Sequence, residues 1–164
     1  MIKNTDVSNV IIPQKELVNI YDSEIGEGTS IGAFTEIGGA VIGKNCKIQA
    51  HVFIPPGIVI YDDVFIGPGV RFCNVKYPIS TRKARRPFPE TRVKSYVTIG
   101  ANATILPGLY IQTGTFIGAG SVLTRSVSNH FGLWFGNPAK CQGMAPDSSK
   151  EREFLRTVGI VPNQ

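Results

Sequence analysis

Large aliphatic residues recur at an interval of six along most of this chain. Between Val97 and Val127 they are Ile99, Ile105, Ile111, Ile117 and Leu123, and all except Ile111 have a smaller residue two positions earlier. A helix repeats its apolar face every three to four residues and a strand every two, so this period indicates a unit of one short strand and one turn. Three units return the chain to its starting direction, which predicts triangular coils of about 18 residues stacked at roughly 4.8 Å.

The same period sets the limits of the repeat. It is clear from Ile25, takes one five-residue step at Gly38-Gly39-Ala40, and stops after Phe72. The pattern predicts an all-β fold, a parallel β-helix of about five coils over residues 19–140, from which residues 73–95 leave as one long loop. A β-sandwich is disfavoured because its turns recur at about 8 to 12 residues and vary in length.

The two ends of the chain lack the period. Residues 1–18 are predicted to form an irregular cap over the open end of the prism, where a strand edge and the apolar centre would otherwise be exposed. Ser148 and Glu151 have capping-box spacing, which predicts a short C-terminal helix over residues 147–158. The 164 residues then form a single domain.

Charge is concentrated in the predicted loop. The chain carries a net charge of +5, and much of it comes from Arg82, Lys83, Arg85, Arg86, Arg92 and Lys94. Guanidinium groups bind phosphate oxygens in pairs, so an anionic ligand is expected, although a solvated loop would have the same composition. Regularly spaced aromatic residues are missing, which disfavours nucleic acid. No apolar run of 18 residues and no signal-peptide pattern occurs, so we expect a cytoplasmic protein without membrane insertion.

Histidines and cysteines are few. With only His51 and His130, a zinc site built from three histidines is excluded, and no metal is expected. Cys46 falls at an inward position, where a thiol acts as a small hydrophobe. Cys73 begins the loop and is a candidate nucleophile, but no activating base stands near it in the sequence.

Several segments carry a resemblance to a known family. They are NIYDSEIGEGTSIG, KIQAHVFIPPG, VFIGPGVRFCNVKYP, IGANATILPG and FGNPAK. The chain resembles the left-handed parallel β-helix acyltransferases of the hexapeptide-repeat superfamily, and within them the N-acetyltransferases of UDP- or dTDP-linked 3-amino sugars. The left hand follows from this resemblance alone, since spacing does not determine it.

The resemblance implies a function and an assembly. It implies transfer of an acetyl group from acetyl-CoA to a nucleotide-linked amino sugar, in the biosynthesis of surface polysaccharide such as lipopolysaccharide. It also implies a homotrimer with active sites in the grooves between neighbouring prisms. O-acetylation, 4-amino acetylation and a non-catalytic sugar-nucleotide-binding role remain alternatives, and the acyl chain length stays open.

Two catalytic residues are expected: Asn74, which the resemblance implies, and His51, from its outward position and the chemistry of histidine. Asn74 stands in a pattern close to F-x-N-D-x-x-P and could orient a sugar hydroxyl or amine. His51 could act as a general base or donate a hydrogen bond to the thioester carbonyl, or simply be a surface or interface histidine. Two family residues are replaced, because Val75 stands in place of an aspartate and Pro68 in place of a second histidine.

Binding residues follow from the same comparison. Substrate contacts are expected from the loop, at Lys76, Tyr77, Arg82, Arg85 and Arg86. Contacts with acetyl-CoA are expected from small residues that line a pantetheine channel and from basic residues near the CoA phosphates, namely Ala101, Ala119, Arg125 and Lys140.

Overall fold

The inward aliphatic residues build a three-sided prism of parallel strands. The computed structural model describes residues 1–81 and 87–145, whose strands form three sheets, one on each side. Within the repeat, successive strands join the three sheets in turn and pair in parallel with the strand one coil further on, as Ile20 does with Ile37 and Ile37 with Ile54. The all-β, left-handed parallel β-helix predicted above is therefore confirmed.

Most strands are two or three residues long because each unit of the repeat has room for only one short side of the prism. Sheet A contains β1 (Ile2–Lys3), β2 (Asn19–Tyr21), β5 (Glu36–Gly38), β8 (Phe53–Ile54), β11 (Arg71–Phe72), β14 (Thr104–Ile105) and β17 (Val122–Leu123). Sheet C contains β3 (Glu24–Ile25), β6 (Val41–Ile42), β9 (Ile58–Ile60), β12 (Thr91–Val93) and β15 (Tyr110–Ile111). Sheet B contains β4 (Ser30–Ile31), β7 (Lys47–Ile48), β10 (Phe65–Ile66), β13 (Thr98–Ile99), β16 (Phe116–Ile117), β18 (Gly132–Gly136) and β19 (Ala139–Met144).

The core is a set of stacked columns, one behind each sheet. The sheet A column is completely or almost completely buried and consists of Ile20, Ile37, Ile54, Phe72, Ile105 and Leu123. Cys46 is also fully buried, as its inward position predicts. Threonines at inward positions bond to the backbone of the next coil; Thr29 Oγ1 donates to Gly43 O at 2.8 Å and accepts from Cys46 N at 3.0 Å. These bonds satisfy hydroxyls that burial would otherwise leave without a partner.

The coil count is close to the predicted five. Within the described residues, β2 to β16 make five complete coils, and a sixth consists of β17, a bridge from Val127 to Ile111, and β18. The chain then reverses through a turn with a cis Asn137–Pro138 peptide into β19, which pairs antiparallel with β18. The helix predicted over 147–158 lies outside the described residues.

The N-terminal segment lies against the first complete coil. Strand β1 pairs with β2, Ile11 forms a bridge with Ser30, and Lys15–Leu17 form a 3-10 turn. Within the two described ranges, no helix has the length and apolarity needed to cross a membrane.

The predicted loop ends earlier than expected. Residues 91–93, assigned to a loop spanning 73–95, form β12 and pair with β9 on one side and β15 on the other. The sequence contained the signal, because Val93 stands six positions before Ile99. The strand resembled a loop because its outward residue, Arg92, is charged and exposed to solvent while its two neighbours are buried.

Candidate functional site

The candidate residues lie on two of the three edges of the prism. We call the edge where the chain passes from sheet B to sheet A the His51 edge; its corners are residues 33–34, 50–51, 68–69, 101–102 and 119–120. We call the edge where the chain passes from sheet A to sheet C the Asn74 edge; its described corners include residues 55–57, 73–81 together with 87–90, 106–108 and 124–126. Equivalent corners of successive coils are about 4.8 Å apart.

His51 occupies a tightly fixed corner. Its backbone has a φ of 60°, its N–H donates to Ala33 O at 3.0 Å, and its carbonyl accepts a hydrogen bond from Nη1 of Arg71. The imidazole is exposed and stacks on the ring of Phe34, with 4.9 Å between ring centroids and an interplanar angle of 19°. The imidazole is therefore available to a ligand while one of its faces is covered.

Ala101 and Ala119 lie on the same edge as His51. The coils stack so closely here that a Cβ on Gly67 would be 2.7 Å from Ala101 N, and one on Gly100 would be 2.5 Å from Ala119 N. His51 and the Ala101 corner are two coils apart, which is about 10 Å. A long, thin ligand that follows the edge would pass both alanines and reach His51.

Lys140 stands beyond Ala119 at the C-terminal end of this edge. The β18–β19 hairpin packs on the last corner, where Gly136 N donates to Ser121 Oγ at 3.3 Å. Lys140 follows that turn and is exposed. One edge thus carries His51, Ala101 and Ala119, and Lys140 lies in β19 beside its C-terminal end, paired with Phe135.

The Asn74 edge carries the second catalytic candidate. Asn74 is half-buried, and its Nδ2 donates to Pro56 O at 3.3 Å. The other end of the loop returns to the same corner, because Thr91 N donates to Gly57 O at 2.9 Å. Asn74 is therefore held at the root of a loop that is fixed at both ends.

Two of the predicted substrate residues lie in the described part of this segment, after Asn74. Lys76 and Tyr77 are exposed, with Lys76 Nζ 5.5 Å from the centroid of the Tyr77 ring. Arg82, Arg85 and Arg86 lie outside the described residues. Arg92 forms an ion pair with Glu90, whose hydrogen bond and charge raise the pKa of the guanidinium, so this arginine already has a carboxylate partner.

Arg125 lies on the Asn74 edge and not on the edge of the alanines. It follows β17, and its guanidinium carbon is 5.4 Å from the centroid of the Trp134 ring at the C-terminal end of the prism. Arg125 and Lys140, the two basic residues expected near CoA, therefore belong to different elements, the corner after β17 and strand β19.

Within one chain, the two catalytic candidates His51 and Asn74 lie far apart. His51 precedes β8 and Pro56, the partner of Asn74, follows it, so they stand at opposite sides of sheet A. Five residues of nearly extended chain span about 15 Å. The structure does not bring His51 and Asn74 together within one copy of the chain.

Cys73 does not have the environment of a nucleophile. It is half-buried, and burial raises the pKa of its thiol, so little thiolate forms near neutral pH. Among the described residues, no group of three or more His, Cys, Asp and Glu side chains could hold a metal ion.

Two contacts of His51 were missed from the sequence. Phe34 and Arg71 stand 17 and 20 residues from His51, close to the length of one coil. The spacing alone does not predict these contacts. It does so only when the position of the five-residue step and the order of the corners are also known.

The repeat and fold define a class, the three-sided β-helix proteins built from hexapeptide units. The family model described as bacterial transferase hexapeptide (six repeats) matches residues 39–74, and the one described as hexapeptide repeat of succinyl-transferase matches residues 97–125. Two segments of the chain are thus similar to the repeats of the bacterial hexapeptide transferases.

Individual relatives include transferases with different acceptors. The dTDP-3-amino-3,6-dideoxy-alpha-D-galactopyranose 3-N-acetyltransferase of Aneurinibacillus thermoaerophilus is 35% identical over 44% of this chain and 38% of its own length. The galactoside O-acetyltransferase of Lactococcus lactis is 27% identical over 82% of this chain and 69% of its own length. The chain spans 20% to 41% of the length of the first curated relatives that it matches.

A solved structure shares the fold across most of the chain. The N-acyltransferase AntD from Bacillus cereus, as an S-to-T variant in complex with dTDP and coenzyme A, superimposes with a TM-score of 0.74 at 23% identity. The match covers 91% of this chain and 88% of that one. At this identity the likeness establishes the architecture and leaves the ligands of the present chain to be tested.

Proposed function

We propose that the protein is an acyl-CoA-dependent N-acetyltransferase that acts on a nucleotide-linked amino sugar. The more specific acceptor is a UDP- or dTDP-linked 3-amino sugar, used in surface polysaccharide biosynthesis in the cytoplasm. The observation that carries this proposal is that His51 stands on the same edge as Ala101 and Ala119. A pantetheine arm that follows the alanines would bring its thioester towards the imidazole.

The reaction joins the sugar nitrogen to the acetyl carbon and releases CoA. The neutral amine attacks the thioester carbonyl, a tetrahedral oxyanion forms, and the carbon–sulfur bond breaks to give the CoA thiolate. The nitrogen loses one proton during this sequence, and His51 is the candidate to accept it and pass it to the thiolate. Val75 and Pro68 replace the aspartate and the second histidine of the family, so neither of those side chains can assist His51. The sugar ammonium therefore loses its proton to solvent before the sugar binds.

The proposed active site needs two chains. We propose a homotrimer in which the Asn74 edge of one prism faces the His51 edge of the next. Asn74 would then orient the sugar beside His51 of the neighbouring copy, and Arg125 would approach the CoA phosphates near Lys140 of that copy. The exposed Lys76 and Tyr77 would contact the nucleotide.

A direct assay tests the function. Purified protein is incubated with acetyl-CoA and a panel of UDP- and dTDP-linked 3-amino and 4-amino sugars, and the free CoA thiol is measured. We expect thiol release with at least one 3-amino sugar, and a higher melting temperature when CoA is added. Absence of both effects across the panel would refute the proposal and favour a non-catalytic binding role.

O-acetylation is a second candidate, favoured by the likeness to a galactoside O-acetyltransferase over 82% of this chain. The linkage in the product distinguishes the two reactions, because neutral hydroxylamine cleaves esters and leaves amides intact. A hydroxylamine-resistant product supports N-acetylation, whereas a labile one supports the second candidate.

A further inference from the structure

We propose that Phe34 is a positioning residue that holds the His51 imidazole in its reactive orientation. This inference rests on the proposed function, because it assigns Phe34 a role in the reaction at His51. The two rings are stacked at 4.9 Å on the same edge of the prism, in successive coils.

The backbone of His51 is already fixed on both sides. Its N–H donates to Ala33 O, and its carbonyl accepts from Arg71 Nη1. The freedom that remains is rotation of the side chain about χ1 and χ2. Because the imidazole is exposed, the Phe34 ring is the contact that restricts this rotation.

The backbone conformation at Phe34 is unfavourable for a bulky residue. Phe34 has a φ of 59°, and the equivalent positions further along this edge also have positive φ; they are His51, Gly69, Asn102 and Gly120, with φ of 60°, 73°, 56° and 67°. A residue with a Cβ is strained in this region relative to glycine. Phe34 is also 58% exposed, so burial of its ring offsets only part of that strain. The stacking of the ring on His51 therefore accounts for a phenylalanine at this position better than its burial does.

The expected effect follows from side-chain rotamers. A side chain without the stack distributes over three staggered χ1 wells and two ring orientations. If one arrangement is reactive, losing Phe34 lowers the reactive fraction about three- to ten-fold, in line with the strength of an aromatic pair. The binding of acetyl-CoA along Ala101 and Ala119 should change little.

The test compares Phe34→Leu with Tyr110→Leu, a matched loss of an exposed aromatic ring on sheet C. We expect Phe34→Leu to lower kcat about three- to ten-fold with KM for acetyl-CoA within two-fold, and Tyr110→Leu to do neither. Phe34→Trp, which keeps a stacking ring, should retain kcat. In a His51→Ala background, Phe34→Leu should have no further effect, because residues that act through one group are not additive.

A spectroscopic measurement separates this proposal from the proposed function. In NMR spectra, the Hδ2 and Hε1 signals of His51 should lie upfield because of the Phe34 ring current and move downfield in Phe34→Leu. Unchanged signals, or shifted signals with kcat equal to that of Tyr110→Leu, would overturn the positioning role while leaving catalysis intact. Unchanged turnover in His51→Ala would instead refute the catalytic assignment of His51, and with it the role of Phe34.

Discussion

At the scale of single residues, the three thiols occupy three different environments. Cys46 is buried, Cys73 is half-buried, and Cys141 is exposed. Burial raises the pKa of the Cys46 and Cys73 thiols, and thiolate is the form that reacts with alkylating agents. The more deeply a cysteine is buried, the more slowly it should therefore react with an alkylating agent.

We expect iodoacetamide at pH 8 to modify Cys141 first, Cys73 more slowly, and Cys46 only after unfolding. Mass spectrometry of tryptic peptides over time measures each rate, and the same reaction in denaturant serves as the control, where all three should react alike. Fast modification of Cys46 in the folded protein would show that the coil around it opens readily.

A second residue-scale prediction concerns Thr91 at the start of β12. Its buried Oγ1 accepts from Gly108 N at 2.9 Å and from Leu109 N at 3.4 Å. Thr91→Val keeps the shape and removes the acceptor, which should lower the free energy of unfolding by about 1 to 3 kcal/mol.

Urea denaturation of Thr91→Val measures this loss, and Thr91→Ser provides the comparison because it keeps the hydroxyl while losing a methyl group. Serine should be the more stable variant if the hydrogen bonds dominate. The reverse order would mean that packing of the methyl group matters more at this position.

At the scale of elements, each corner glycine meets a different constraint. A Cβ on Gly100 would lie 2.5 Å from Ala119 N, whereas one on Gly120 would meet nothing within 4 Å, although Gly120 has a φ of +67°. Gly100→Ala should destabilise the protein by about 1 to 3 kcal/mol through steric overlap with backbone. Gly120→Ala should cost about 1 kcal/mol from its backbone conformation alone.

Thermal and urea unfolding of the two variants test this difference. Gly120→Ala is the matched control, since it makes the same chemical change on the same edge. Equal stabilities would mean that the coils separate at Gly100 without loss of packing, contrary to the close stacking described above.

The strands show how much of the fold could be predicted from the sequence alone. The period of six predicted the strands because one aliphatic residue per side must enter a narrow core. It missed β12 because a basic, exposed Arg92 interrupts the apolar pattern, although Val93 keeps the spacing to Ile99.

Less of the candidate site than of the fold could be predicted from the sequence. A coil repeat states which residues stack along an edge, but the stack of Phe34 on His51 depends on side-chain orientation, which no spacing encodes. The separation of Arg125 from Ala119 likewise follows from the order A, C, B of the sheets. Neither arrangement follows from the period of six.

At the scale of the whole molecule, the separation of His51 from Asn74 makes assembly part of the proposed chemistry. If the Asn74 edge of one chain completes the site on the His51 edge of the next, the protein should have a mass about three times the 17.8 kDa of one chain by light scattering. Each active site would then belong to two copies, and two inactive variants could restore each other.

Complementation between His51→Ala and Asn74→Ala tests this arrangement. Each variant alone should be inactive, because every site lacks one side chain. The two are co-expressed with different tags and purified through both, so that every trimer contains both kinds of chain. In a closed ring of three, one interface of each mixed trimer then joins an intact His51 edge to an intact Asn74 edge, so about one third of wild-type turnover should return.

The control is His51→Ala carrying both tags, which should stay inactive because no interface in it is intact. Mixed trimers with no more turnover than that control would place the reacting groups within one chain, or show that Asn74 and His51 do not act at the same site. A return of activity near one third would mean that a single chain is not an active enzyme, and that Asn74 of one chain acts together with His51 of its neighbour.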